Sequence, residues 1–163
     1  MRPAQESIDI SRDLVSLLPR LRRFALTLTR DGLQADDLVQ AICERATGRH
    51  PVWNGHGRLD DALYILARTL QDEAGGRKRV AAADPRGGTA SSGGAAGGDA
   101  VQQMMITMSE GLASAFLLVA VEQRNYRDAG HILGLAPDVV AQKLVAARLR
   151  LATMAADTTE RRA

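Results

Sequence analysis

The chain has 163 residues and one cysteine, Cys43, so no internal disulfide can form. That fits a reducing, cytoplasmic setting. Aromatic residues make up only 3% of the chain: one Trp, two Tyr and two Phe. Sheets favour aromatic and β-branched side chains. The apolar residues here are mostly Leu and Ala, which suit helices packed on helices. An all-α protein is therefore expected. No apolar run reaches the roughly 20 residues that span a bilayer, and the opening MRPAQESIDISRD has no apolar core. Both points argue against membrane insertion and a standard secretory signal. Charge of one sign is also lacking. The net charge is +2, with 13 basic and 11 acidic side chains over residues 1–80 and 7 and 6 over residues 101–163. Any affinity for DNA must come from local patches or from a partner that adds its own contacts. His50, His56 and His131 do not have the spacing of metal ligands. No metal, cofactor or catalytic group is expected, and the reading is non-enzymatic.

Glycine, by contrast, is plentiful and unevenly placed. Residues 81–100 read AAADPRGGTASSGGAAGGDA, with 13 of 20 positions Gly or Ala and no large apolar residue. This composition predicts a flexible linker. It lacks the Lys-Ser/Thr ending of a phosphate loop. The expected organisation is a helical domain over 1–80, a linker over 81–100, a second helical domain over 101–156 and a disordered tail over 157–163.

Three helical patterns fill the first part. Leu14, Leu17, Leu18, Leu21, Phe24, Ala25 and Leu28 recur at i, i+3, i+4 and i+7, and Asp31-Gly32 ends the run. Arg20, Arg22, Arg23 and Arg30 mark its outer face. A second helix is expected from about Gln34 to Gly48, with Leu38, Ile42 and Ala46 inward and Asp36 and Asp37 in its first turn, where the helix dipole favours them. A third is expected from Leu59 to Ala74, with Leu59, Ala62, Leu63, Leu66, Ala67 and Leu70 on one face and Gly75-Gly76 as its stop. The basic run Arg77-Lys78-Arg79 follows.

The second part is expected to begin with a helix from about Val101, interrupted near Ser109, with Leu112, Phe116, Val119 and Ala120 on its apolar face. Next comes NYRDAGHILGLAPDVVAQKLVAARLRL, residues 125–151. Tyr126, Ala129, Ile132 and Leu133 mark the inner face of a short helix. Gly134 suits its C-terminus and Pro137 the first turn of the next. Val140, Leu144, Ala147, Leu151 and Met154 then recur at helical spacing. This is a helix-turn-helix pattern, whose second helix can enter a DNA major groove.

Several residues admit two readings. Asp36-Asp37 is helix N-terminal charge or a partner contact. Arg77-Lys78-Arg79 is solvated surface or a grip on a DNA backbone. Trp53 lies in the loop before the third helix and is expected to pack on that helix. Cys43 reads as a small core residue. Lys143 and Arg150, seven residues apart, share a helix face with Arg148 offset, and Gln142 is suited to contact adenine. The alternative for this helix is an interface with another helix.

In this order the segments resemble the extracytoplasmic-function (ECF) group of bacterial sigma factors. LLPRLRRFALTLTRD (17–31) is similar to the first helix of region two, and QADDLVQAICERA (34–46) to its polymerase-binding helix. LDDALYILARTLQDEAGGRKR (59–79) resembles the helix that melts and reads the promoter. FLLVAVEQRNYRDAGHILGLAPDVVAQKLVAARLRL (116–151) resembles region four. The departures cluster on the DNA side. Asp138-Val139-Val140 stands where Gly-Thr-Val is usual, and Ala141-Gln142-Lys143-Leu144 where Lys-Ser-Arg-Leu is usual. Ala146 replaces an Arg, while Arg148 is kept. Ala62, Thr69 and Glu73 replace an aromatic, an Asn and an Asp.

The resemblance implies a sigma factor that directs core RNA polymerase to promoter DNA, with an anti-sigma factor as a further partner. Asp36, Asp37, Leu38, Val39 and Gln40 would bind the polymerase. Arg68, Thr69, Arg77 and Lys78 would approach the melted promoter, and Val139, Gln142, Lys143 and Arg148 the upstream element. A second reading is a sigma-like mimic or adaptor that binds an anti-sigma factor without reading DNA. The thinned recognition helix favours it, and the retained Asp-Asp-Leu-Val-Gln disfavours it. A free-standing helix-turn-helix repressor would need a dimer helix that the chain does not obviously offer.

Overall fold

The computed structural model describes residues 3–48, 53, 57–82, 108 and 111–160, with the backbone alone for 3–9, 78–82 and 158–160. Most of the expected linker, and the expected helix start near Val101, lie outside these residues. The described residues form helices with no strand, so the protein is all-α. The chain divides into two compact units, residues 1–97 and 98–163.

The first unit is three mutually packed helices. α1 (Pro3–Thr29) begins well before the first apolar repeat. It passes through Pro19, which is exposed. A proline there removes one helix N–H, and water can reach the carbonyl that loses its donor. The helix stops at Thr29, whose hydroxyl turns back to the Ala25 carbonyl at 3.1 Å, and Arg30 takes a left-handed φ of 59°. Asp31 then opens α2 (Gly32–Ala46) as its N-cap, accepting the Gln34 N–H at 2.9 Å.

This cap corrects the position of the acidic pair. The helix starts at Gly32, so Asp36 and Asp37 lie beyond the first turn, and α2 has no acidic residue there. The dipole falls off within that turn, so helix-end electrostatics no longer account for the pair. α3 (Leu59–Ala82) starts with Asp60 and Asp61 and runs straight through Gly75-Gly76, the expected stop. A helix-interior glycine costs roughly 1 kcal/mol against alanine, which lowers stability without breaking the hydrogen-bond ladder. Arg77-Lys78-Arg79 is consequently part of α3, and the helix extends two residues past 80.

The core of this unit is Leu21, Phe24, Ile42, Leu63 and Tyr64, each almost fully buried. The Phe24 and Tyr64 rings meet at 4.7 Å between centroids, tilted by 48°. Burying each such ring stabilises the fold by about 1.5–3 kcal/mol. Cys43 is only half-buried, so it borders the core rather than filling it.

In the second unit α4 (Leu112–Phe116) continues into a π-helical turn, Leu117–Val121. The Glu122 N–H reaches the Leu117 carbonyl at 2.9 Å, a five-residue span. This wider turn resets the periodicity. The expected face of Leu112, Phe116, Val119 and Ala120 is not the most buried one. Ala113, Ala115, Leu117 and Leu118 are buried instead.

α5 (Tyr126–Leu133) is capped by Asn125, which accepts the Asp128 N–H at 2.8 Å. Ala129 and Ile132 face inward, but Tyr126, at the first helical position, is exposed. α6 (Pro137–Glu160) buries Val140, Leu144 and Ala147 against α4 and α5. It stays helical through Glu160, past residue 157, where polar composition predicts disorder.

Candidate functional site

The expected contacts fall on α2, α3 and α6, and each helix sorts them by face. On α2, Asp37 and Gln40 are exposed and Val39 is half-buried. Leu38 is a core side chain at 7% exposure, three residues after buried Ala35 and four before buried Ile42. This side chain seats α2 on the core of the unit. Asp36 is engaged by α1. The Arg22 Nε donates to its Oδ1 at 2.6 Å and the Arg22 Nη2 to its Oδ2 at 3.3 Å. This bond and the attraction of the carboxylate raise the pKa of Arg22. A second acid, Asp60, is 6% exposed. It accepts from the Arg58 Nη2 at 2.9 Å and lies 3.6 Å from the Arg20 Nη1, tying α1 to the start of α3. The bond to Asp60 likewise raises the pKa of Arg58. Arg20 and Arg22 were legible only as outer-face residues, because their partners come from other helices.

On α3, Thr69 is exposed and its hydroxyl donates to the Ile65 carbonyl of its own helix at 2.9 Å. Arg68 is half-buried and Arg77 exposed. Nine residues separate them, which is about half a turn around the helix and about 13 Å along it. They do not form one patch, and the Lys78 side chain lies outside the described residues. Trp53 is half-buried in the loop before α3.

The helix-turn-helix is fixed by two glycines. Gly134 takes φ 66°, and the Leu135 N–H bonds the Gly130 carbonyl at 2.9 Å, closing the six-to-one bond of a Schellman cap. A Cβ on Gly130 would lie 2.5 Å from the Leu135 carbonyl oxygen. On α6 beyond this turn, Gln142 and Arg148 are exposed, while Val139 and Lys143 are half-buried. A Cβ on Gly111 would lie 2.9 Å from the Lys143 Nζ, so this side chain lies back over the start of α4. Lys143 and Arg148 are five residues apart, about 140° around the helix. Between them the outward stripe carries Gln142, Val145 and Leu149, the last two 67% and 70% exposed. Val145 and Leu149 fall off the stripe of Val140, Leu144 and Ala147, and the structure leaves both in solvent.

Among the described residues no three His, Cys, Asp or Glu side chains converge on a metal-sized site. No helix among them is long and apolar enough to cross a membrane.

The first unit thus packs three helices with exposed carboxylates on the second, and the second unit ends in a helix-turn-helix. Residues 14–68 match the family described as the Sigma2 domain of PhyR. Over 149 residues the chain is 24% identical to the ECF RNA polymerase sigma factor EcfG of Rhodopseudomonas palustris (strain TIE-1), covering 87% of this chain and 82% of that protein. Its fold is similar to that of the Bartonella quintana sigma factor RpoE, solved in complex with the anti-sigma factor NepR. The TM-score is 0.69 at 24% identity, covering 88% of this chain and 94% of that one. It is also similar to PhyRSL in the PhyRSL–NepR complex of Sphingomonas sp. Fr1, with a TM-score of 0.57 at 22% identity over 88% and 87% of the two chains. By sequence the chain is similar to an ECF sigma factor and, over residues 14–68, to the Sigma2 domain of PhyR, and by fold to the two solved proteins.

Proposed function

We propose that the protein acts in the cytoplasm as an ECF sigma factor, docking on core RNA polymerase through α2 and delivering it to promoter DNA. The observation that carries this reading is the outward placement of Asp37 and Gln40 on a helix whose opposite face is core. Arg68, Thr69, Arg77 and Lys78 on α3 would approach the melted strand, and Val139, Gln142, Lys143 and Arg148 on α6 the upstream element. Tethering both units to one polymerase raises the effective concentration of each DNA contact, which suits a chain of net charge +2. The test is binding of the purified chain to core polymerase stripped of sigma. Saturable binding, lost on Asp37→Ala, supports the reading. A folded, helical chain that does not bind refutes it.

A second reading has its own support. Val145 and Leu149 place apolar surface at the middle of the face that would read bases, with exposed Arg148 and Arg150 toward its edges. That surface suits a protein better than DNA phosphates. The solved relatives RpoE and PhyRSL are each bound to NepR. In this reading the chain binds an anti-sigma factor and frees another sigma factor. Promoter-specific transcription separates the two. Lys143→Ala with Arg148→Ala lowers it if α6 reads DNA and leaves it unchanged if α6 binds only protein.

A further inference from the structure

The stretch that joins α4 to α5 gathers four uncommon features. Leu117–Val121 is a π-helical turn, closed by the Glu122 N–H on the Leu117 carbonyl at 2.9 Å. Gln123, with φ 54°, is a left-handed residue that is not glycine. Arg124 is 6% exposed, although arginine is among the side chains least often buried. Val121 is 43% exposed, although Leu117 and Leu118 before it are fully buried. π-helical turns and left-handed non-glycine residues concentrate where a segment changes shape. One residue of slack links all four. α-Helical spacing from Leu117 (i+4) and from Leu118 (i+3) puts Val121 on their buried side. The π-turn takes up one residue more than an α-turn holds, and this rotates Val121 off that side. The chain then closes as α5 does at Gly134, but one residue wider. The Arg124 N–H bonds the Leu118 carbonyl at 2.8 Å, a span of six residues against the five from Leu135 to Gly130. Gln123 thereby takes the left-handed position that Gly134, φ 66°, fills at the end of α5.

We propose that Leu117–Arg124 is a two-register hinge. In the first register the extra residue sits in the π-turn, with Arg124 inside and Val121 at the surface. In the second, 117–121 is α-helical and Val121 packs beside Leu117 and Leu118. The extra residue passes into the connection before Asn125, Gln123 leaves the left-handed region and Arg124 turns out to solvent. Each register gives up what the other holds. The first strains Gln123 and wets Val121; the second loses the bond from Arg124 to Leu118. The opposed terms keep the two close in free energy. α4 packs on α6, and Asn125 caps α5. Lengthening the connection by one residue therefore loosens the helix-turn-helix from α4 while leaving both helices whole. A carboxylate that pairs with the outward Arg124 shifts the hinge to the second register, because it binds that register better. The device is independent of whether α6 meets DNA or protein.

The experiment is NMR relaxation dispersion of the backbone amides of the full chain, which reads microsecond-to-millisecond exchange. The Val121 methyls report burial. A second register populated at about 1–10% gives dispersion concentrated at residues 117–125. Gln123→Gly removes the left-handed penalty from the first register and should cut the second population by about fivefold or more. Val121→Ser removes the apolar gain of the second register and should also flatten the dispersion. Gln123→Val, whose branched side chain resists a positive φ, should act the other way and bring the Val121 methyls into contact with those of Leu117 and Leu118. Flat dispersion over 117–125 in the parent chain refutes the hinge. So does a folded Gln123→Val whose Val121 stays in solvent. If Gln123→Val does not fold, Gln123→Gly and Val121→Ser carry the test, since both side chains are exposed. Dispersion that survives either of them unchanged overturns the proposal.

Discussion

Replacing glycine by alanine should have opposite signs in the two units. In Gly130→Ala the added methyl would lie 2.5 Å from the Leu135 carbonyl oxygen. Carbon and carbonyl oxygen usually approach no closer than about 3.3–3.6 Å, so the overlap is roughly 1 Å. The obstacle is backbone, and the Leu135 N–H is bonded to the Gly130 carbonyl at 2.9 Å. Relief must therefore open the turn that sets α6 against α5. Overpacking of this kind costs about 1–3 kcal/mol, and the rigidity of the obstacle puts Gly130 at the upper end. Alanine's better helix propensity returns at most about 1 kcal/mol. The net loss is about 2 kcal/mol, which lowers the melting temperature of a domain this small by about 8–16 °C. In Gly75→Ala nothing lies within 4 Å of the new methyl and the residue is inside α3. The same substitution there should stabilise by about 0.5–1 kcal/mol. Trp53 is the chain's only tryptophan and belongs to the first unit, so its fluorescence follows that unit while circular dichroism follows both. An unchanged or raised second-unit melt in Gly130→Ala would refute the close approach. A lowered Trp53 transition in Gly75→Ala would refute the continuous helix.

Three further outcomes follow from the contacts. Asp60→Asn keeps the shape of a buried side chain but removes the charge facing Arg58 and Arg20. It should destabilise the first unit by about 1–3 kcal/mol, read as an earlier Trp53 transition with the second unit unchanged. Asn125→Ala removes the N-cap of α5 and should cost about 1 kcal/mol, seen as a lower second-unit melt. The Cys43 thiol is pushed up in pKa by burial and secondarily by Glu44, so at neutral pH it stays protonated more fully than a free thiol. Alkylation by iodoacetamide should be slow at pH 7 and rise with pH to a midpoint above that of the unfolded chain. Because the folded state holds this proton more tightly, the contribution is present at low pH and is lost as pH climbs through the folded pKa. Equal labelling profiles for folded and urea-unfolded protein would contradict the burial.

What the sequence by itself determined were features set by near neighbours. Few aromatics and abundant Leu and Ala made the chain helical. Apolar spacing located α2, most of α1 and α3, and the two helices around Gly134, because a residue's helical face depends only on its distance from others in the same helix. The order of these segments was enough to suggest the sigma family. The DNA-facing and polymerase-facing assignments were less legible. The cap at Asp31 moved the acidic pair out of the first turn, and the π-helical turn at Leu117–Val121 reset which side of that segment is buried. Spacing put Lys143 and Arg150 on one face with Arg148 offset, and the structure adds that Lys143 is half-buried while Arg148 and Arg150 are exposed.

Only the tertiary structure decided that Asp36 and Asp37 differ. The two residues have the same chemistry and adjacent positions, and nothing local distinguishes them. The difference comes from Arg22, fourteen residues earlier, which the packing of α1 on α2 brings within 2.6 Å of one carboxylate and not the other. An ion pair depends on distance through space, which helical periodicity does not encode across a turn. The same holds for Val145 and Leu149, whose exposure was settled by where α4 and α5 pack.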